Sequence, residues 1–199
     1  MNKYHLSALL LLIFVTSCGE NISPVDSGLE QQIFHFGNGA EPQGLDPHIV
    51  TGVPEHHLLI ALCEGLTSSN PKGGSPLPGM AESWTLSDDG TIYTFNINKD
   101  AKWSNGDPLV ASDFVWSWMR ILTPSLGSQY PDMLYYVKGA AEFHQALTDD
   151  FSTVGVKAIN DHELRVELKN PTPFFIRLLS DYSTYPVHKE SVLKHGSID

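Results

Sequence analysis

The side chains with most scope for chemistry in this sequence are nine histidines, two cysteines and four tryptophans. None of them falls into a spacing that makes a reactive centre. His56 and His57 are adjacent, and neighbours on a helix diverge by about 100°, so they do not chelate one ion in a simple way. His35, His48, His144, His162, His188 and His195 follow no ligand spacing, and the C-x-x-C pattern of a zinc site is absent. The expectation is no metal and no cofactor. G-x-S-x-G, H-E-x-x-H and a catalytic-cysteine signature are absent too, so the chain is not expected to be an enzyme. A hydrolase whose groups meet only in space stays open as the alternative. Cys63 ends the apolar run 58–63 and reads as a buried thiol acting as a small hydrophobe. Trp116 and Trp118 are two apart on a helix and face different ways, while Trp84 and Trp103 lie beside turns. Core packing suits all four better than an aromatic sugar-binding box.

The formal net charge is −11, and the twelve Lys and Arg are scattered. Such a surface repels phosphate backbones, so nucleic acid is not an expected partner. A 41% hydrophobic content suits a globular chain with a real core.

The first residues read as an address. Lys3 precedes the apolar stretch 6–15, which is about half the ~20 residues that a spanning helix needs. That length fits the centre of a secretory signal peptide. Val15-Thr16-Ser17-Cys18 follows and resembles the bacterial lipobox, whose cysteine carries a lipid. An ordinary cleaved signal with an incidental cysteine is the competing reading. A lipid on Cys18 implies a membrane-anchored lipoprotein, periplasmic or on the cell surface, because more than one acyl chain holds a protein at a bilayer. Residues 1–18 are then the signal, and 19–28, with Ser23, Pro24 and Gly28, read as a flexible tether.

Beyond the tether, strands and helices mix. Residues 31–36 alternate in part and predict a strand ending at Gly37. Pro54 suits the first turn of a helix carrying Leu58, Leu59, Leu62 and Cys63, which Gly65 can end. The strict alternation from Thr91 to Asn98 predicts a half-buried strand, paired through Asp88-Asp89-Gly90 with the residues around Trp84. Residues 104–108 form a second tight turn. Phe114, Val115, Trp118, Ile121 and Leu122 mark a helix opening at Ala111 or Ser112, with Pro124 beyond its end. A short helix at 139–147 and a hairpin of 154–159 with 163–168 follow. Further helices start at Pro173 and near Val192, the second ended by Gly196. The class is α/β or α+β with a mixed sheet.

Nine segments in order resemble one family. They include Gly44-Leu45-Asp46-Pro47-His48, Gly52-Val53-Pro54-Glu55, Glu64-Gly65-Leu66 and Met80-Ala81-Glu82-Ser83-Trp84. The most specific are Ala101-Lys102-Trp103-Ser104-Asn105-Gly106-Asp107-Pro108 and Ala111-Ser112-Asp113-Phe114-Val115-Trp116-Ser117-Trp118. Together they are similar to extracellular solute-binding protein family 5, which serves ABC importers of oligopeptides, dipeptides and nickel, and within it to the oligopeptide binders. The resemblance implies a two-lobe α/β fold of the type II periplasmic-binding-protein kind. Residues 29–63 and 185–199 would belong to the first lobe and 64–184 to a domain inserted in it, with the second lobe absent from this N-terminal fragment. It implies a monomer that presents peptide to an ABC permease and its ATPase.

The resemblance also implies a site. Thr51, Gly52 and Val53 would pair with a peptide's main chain, and Tyr130 would lie against the ligand. The local chemistry agrees. Pro54 forces Val53 into an extended conformation, and Gly52 lets another backbone approach. An extended edge binds amides without reading side chains. A loop packed into its own protein remains the plainer reading of 51–53, and a surface aromatic that of Tyr130. A nickel chelate or other small solute is the alternative ligand, and a receptor reusing the fold the alternative role.

Overall fold

The computed structural model describes residues 22–195. The predicted signal peptide, Cys18 and the first residues of the predicted tether lie outside them, as does Gly196. The chain divides into two units, which part between Gly39 and Ala40.

In the first unit the predicted tether and strand give way to a helix, α1 (Pro24–Gln31). Ser23 caps it by accepting the Asp26 N–H through Oγ at 3.1 Å, and Pro24 occupies the first turn, where its missing N–H costs nothing. Gln32 turns left-handed at φ 58°, and the Ile33 N–H reaches the Gly28 carbonyl at 2.8 Å. The residues after it, 33–36, do not form the predicted strand. Ile33, Phe34 and Phe36 are exposed, and among the described residues of this unit there is no second strand to complete a ladder.

The second unit opens with a loop that leads into α2 (Val53–Leu62). The predicted apolar stripe on α2 is mostly not buried. Leu59 is covered and Leu58 half-buried, whereas Leu62 and Cys63 are exposed, as is Ile60 beside them. The helix is apolar on several sides, so one short contact cannot cover it all. Cys63 is therefore not the buried thiol expected. It caps α2 in extended conformation, two residues before Gly65.

The core lies under a four-stranded sheet in the order β3-β4-β6-β5, built from β3 (Ala81–Leu86), β4 (Ile92–Ile97), β5 (Val156–Asn160) and β6 (Glu163–Glu167). A two-stranded ladder, β1 (Thr67–Ser68) with β2 (Leu77–Pro78), precedes it. Both predicted hairpins form, and every pairing in the main sheet is antiparallel, so this sheet is not mixed. Between Ile97 and Val156 the chain crosses over β6, so β4 and β5 run the same way but are kept apart by β6, and no parallel pair forms. Asp89 sets the first turn by accepting the Thr91 N–H at 3.1 Å while Gly90 sits at φ 72°. The period-two pattern buries Tyr93, Phe95 and Ile97 on one face of β4, opposite Leu164 and Val166 of β6.

Helix α3 (Ala111–Leu122) covers that face. Asp113 holds its start: Oδ2 accepts from the Val110 N–H at 2.9 Å and from the Trp103 indole at 3.2 Å. Phe114, Trp118 and Ile121, at helical spacing, enter the core. Trp84 and Trp103 pack against its edge, as core packing predicts, while Trp116 is half-buried. Ser117 and Arg120 are buried on another side of α3, where the chain returns through 184–187. The Trp118 indole donates to the Thr184 carbonyl at 3.1 Å, and the Val187 N–H donates to Ser117 Oγ at 2.9 Å. The remaining helices are short: α4 (Ala140–His144), α5 (Phe175–Leu178) and α6 (Lys189–His195). α5 begins later than Pro173 suggests and α6 earlier than Val192. His188 Nδ1 accepts the Ser191 N–H at 3.2 Å and starts α6 there.

Gly65 is kept small by packing, not by a helix end. A Cβ there would lie 2.6 Å from Tyr185 Cδ1 and 2.7 Å from the Leu179 carbonyl oxygen. Gly65→Ala must displace backbone as well as a ring, and should cost about 1–3 kcal/mol in urea unfolding. Stability equal to the wild type would show that this contact is loose.

Candidate functional site

Residues 46–53 are pinned before they reach the surface. Asp46 and His48 flank Pro47, and both meet Arg120 of α3. Arg120 donates from Nη1 to Asp46 Oδ1 at 3.0 Å and from Nη2 to Oδ2 at 2.6 Å. This fork is the strong bidentate geometry of guanidinium with carboxylate. Nη1 also lies 3.0 Å from His48 Nδ1, and His48 Nε2 lies 3.0 Å from the Tyr185 carbonyl. An arginine has only protons to offer, so Nδ1 accepts and Nε2 carries the hydrogen. His48 is 2% exposed and Arg120 3%.

Burial pushes the His48 imidazole down to about 4, and the Arg120 charge adds to the fall against the opposing pull of Tyr185 and Asp46. Burial works on Asp46 in the other sense, but the Arg120 hydrogen bonds, the His48 amide and the Arg120 charge outweigh it, so its carboxyl lies below the usual range. A buried neutral histidine, a buried arginine and a half-buried ionised aspartate thus form one set with its charges matched.

From this anchor the chain rises to 51–53. Tyr182 Oη donates to the Val50 carbonyl at 3.2 Å, the last tie before the strip. Gly52 stands at φ 121°, ψ 162°, a conformation open to glycine alone. A Cβ on it would also lie 2.6 Å from Glu55 Oε2. Glu55 is buried in the first turn of α2 and accepts the Gln43 N–H at 2.8 Å. The strip belongs to no sheet, and Val53 is not the extended residue expected before Pro54: it is the first residue of α2, with Gly52 as the N-cap, because proline suits the first turn and leaves the residue before it free to start the helix. Val53 is 64% exposed, and its N–H is one of the first-turn donors that a helix leaves unpaired. Among the described residues, the Thr51 N–H and C=O and the N–H groups of Gly52 and Val53 have no hydrogen-bond partner.

Gly52, Val53 and Tyr130 line one cavity of about 390 Å³, with His56, Met133, Asp181 and Tyr182. Thr51 is exposed beside it and is not among the lining residues. Tyr130 meets Tyr182 edge to face at 6.3 Å, and His56 meets Tyr182 at 5.6 Å. Burial, with the neighbouring Tyr130 and the Asp181 charge, pushes the Tyr182 hydroxyl up to about 12. Both the strip and Tyr130 were marked in the sequence. Asp181, Tyr182 and the pairing of Arg120 with Asp46 were not, since 74 residues separate the last two. The Asp-Pro-His triplet was the one available signal. A larger groove of about 970 Å³ runs between α2 and residues 185–188. Among the described residues no three His, Cys, Asp or Glu side chains are grouped to hold a metal, and no helix is long and apolar enough to cross a membrane.

Residues 75–197 match the family model of the bacterial extracellular solute-binding proteins, family 5 middle region. The chain belongs to this family. It is 44% identical over 172 residues to the periplasmic oligopeptide-binding protein OppA of Escherichia coli, a match covering 84% of this chain and 31% of that protein. Among solved structures, OppA of Haemophilus influenzae in complex with RPPGFSPFR superposes with a TM-score of 0.75 at 39% identity, covering 80% of this chain and 31% of the other. OppA of Listeria monocytogenes bound to peptide gives 0.75 at 29% identity, covering 79% and 31%. The described residues thus have part of the two-lobe periplasmic-binding-protein fold, as expected from the sequence, and the chain spans about a third of the length of these relatives.

The buried set makes the fold acid-sensitive in a defined window. Unfolded His48 binds a proton near its ordinary 6.5, and folded His48 binds one only near 4. The unfolded chain therefore takes up more protons in between, and stability falls as pH drops from 6.5 towards 4. His48→Gln should flatten that slope in a series of thermal melts, and an unchanged slope would remove His48 from the account. Arg120→Lys keeps the charge, loses the fork, and should cost about 2–4 kcal/mol.

Proposed function

We propose that this chain supplies one wall of the ligand site in the substrate-binding component of an ABC importer, and that it captures oligopeptides through their backbone. The observation that carries the reading is the exposed strip 51–53, in which the Thr51 N–H and C=O and the Gly52 and Val53 N–H groups lack protein partners, while Gly52 and Val53 line a cavity with Tyr130. A guest peptide in extended form can satisfy those groups as an added strand does, with its side chains pointing elsewhere. The Tyr130 ring offers an apolar face against the guest. The relatives named above as oligopeptide-binding, and those solved with peptide, support the same ligand class.

The remainder of the reading follows from the sequence. Cys18 carries a lipid that holds the protein to a membrane, in the periplasm or on the cell surface, where it hands peptide to a permease and ATPase complex. It works as a monomer and binds without turnover. Residues 29–63 and 185–199 act as part of one lobe, with 64–184 as its inserted domain.

A backbone-reading site has a direct test. Calorimetric titration with a tripeptide should weaken by about tenfold when the ligand N–H facing the strip is replaced by N-methyl, the worth of one hydrogen bond to a desolvated partner. Exchanging neutral ligand side chains should cost less. Gly52→Ala, which collides with Glu55 and loses the required φ, should weaken every peptide alike. Equal affinity for the methylated peptide would rule out main-chain capture.

A further inference from the structure

We infer that the cavity beside the strip takes a cationic group of the bound peptide, an ammonium or guanidinium, and that Asp181 determines this preference. The inference rests on the peptide-binding reading and adds a charge selectivity to it. The cavity lining carries one carboxylate and no lysine or arginine. Asp181 is held in place by its own turn. Its Oδ1 accepts the Ser183 N–H at 3.0 Å and the Ser183 hydroxyl at 2.7 Å, and its carbonyl accepts the Thr184 N–H at 3.0 Å. Oδ2 has no hydrogen bond among the described residues, which leaves it available to a guest.

The charge is also felt where a guest would sit. Asp181 contributes, after burial and the neighbouring Tyr130, to holding the hydroxyl of Tyr182, a lining residue, up at about 12. The buried carboxylate of Glu55 acts on Tyr182 in the same sense. Three rings, Tyr130, Tyr182 and His56, are set edge to face around the cavity, and Met133 completes an apolar wall. A carboxylate beside ring faces is complementary to a cation on an apolar stem. The cation pairs with the carboxylate and with the ring quadrupoles, and the stem covers the apolar wall. An anionic side chain would meet only repulsion there. A neutral polar one would forgo the ion pair.

The test uses the full-length gene product and three tripeptides that differ at one group: lysine, its neutral isostere norleucine, and the lysine peptide with its N-terminus acetylated. The lysine peptide should bind about tenfold more tightly than the norleucine peptide if a side chain occupies the cavity. If the N-terminal ammonium occupies it, acetylation should cost that factor instead. Either preference should shrink at 0.5 M salt. In Asp181→Asn, which keeps an acceptor for the Ser183 N–H, the same Kd ratio should fall to near one. Should that variant not fold, the wild-type ratios and their salt dependence still decide. Binding of all three peptides with equal Kd would overturn the charge assignment and leave peptide capture standing. Binding of none would remove both.

Discussion

A single arginine holds the architecture of the site together. Arg120 leaves the sheet-covering helix on its buried side and grips Asp46 with two bonds and His48 with a third. His48 in turn holds the Tyr185 carbonyl. Three stretches far apart in sequence are thereby fixed at one point: the loop before the strip, α3, and the segment that returns past α3. Such a set is expensive to bury and worthwhile only when every partner is present. Arg120 Nε is the one atom of the set without a partner among the described residues, so the fork and the histidine carry the whole compensation. The result is a loop held at its base and presented at its tip.

The tip has a different logic. Gly52 and Glu55 are made for one another, since the carboxylate fills the space that any Cβ on Gly52 would need. Glu55 is satisfied by Gln43, from the start of the same loop. A glycine at positive φ and the first residue of α2 therefore stand in the open above buried groups. Preorganisation of this kind lowers the entropy that a guest must offset on binding. The neighbouring cavity shares the support, because Tyr182, which ties down Val50, is also its wall.

Legibility in the sequence followed the range of the interaction. The hairpins at 81–97 and 156–167, α3 and α2 were predictable because their signals lie within a few residues: Asp89-Gly90, period-two alternation, Pro54, and apolar side chains at helical spacing. Residues 31–36 failed as a strand for the complementary reason. Alternation states a preference, and a strand exists only when a partner accepts its hydrogen bonds. Ser23 and Pro24 meanwhile made a helix of residues that looked like tether. The exposure of Cys63 was hidden by the same limit, since an apolar run does not say which of its members will be covered.

Thr51, Gly52, Val53 and Tyr130 were singled out by the family resemblance, and the chemistry of a glycine loop and of a tyrosine ring agreed with it. The family was legible in short ordered segments. Only the folded molecule brought Tyr130 to the strip, put Asp181 and Tyr182 beside both, and joined Asp46 and His48 to Arg120. Those pairings span from about fifty to more than a hundred residues, and their energy comes from burial and mutual desolvation. A linear pattern carries no record of either until the chain has closed on itself.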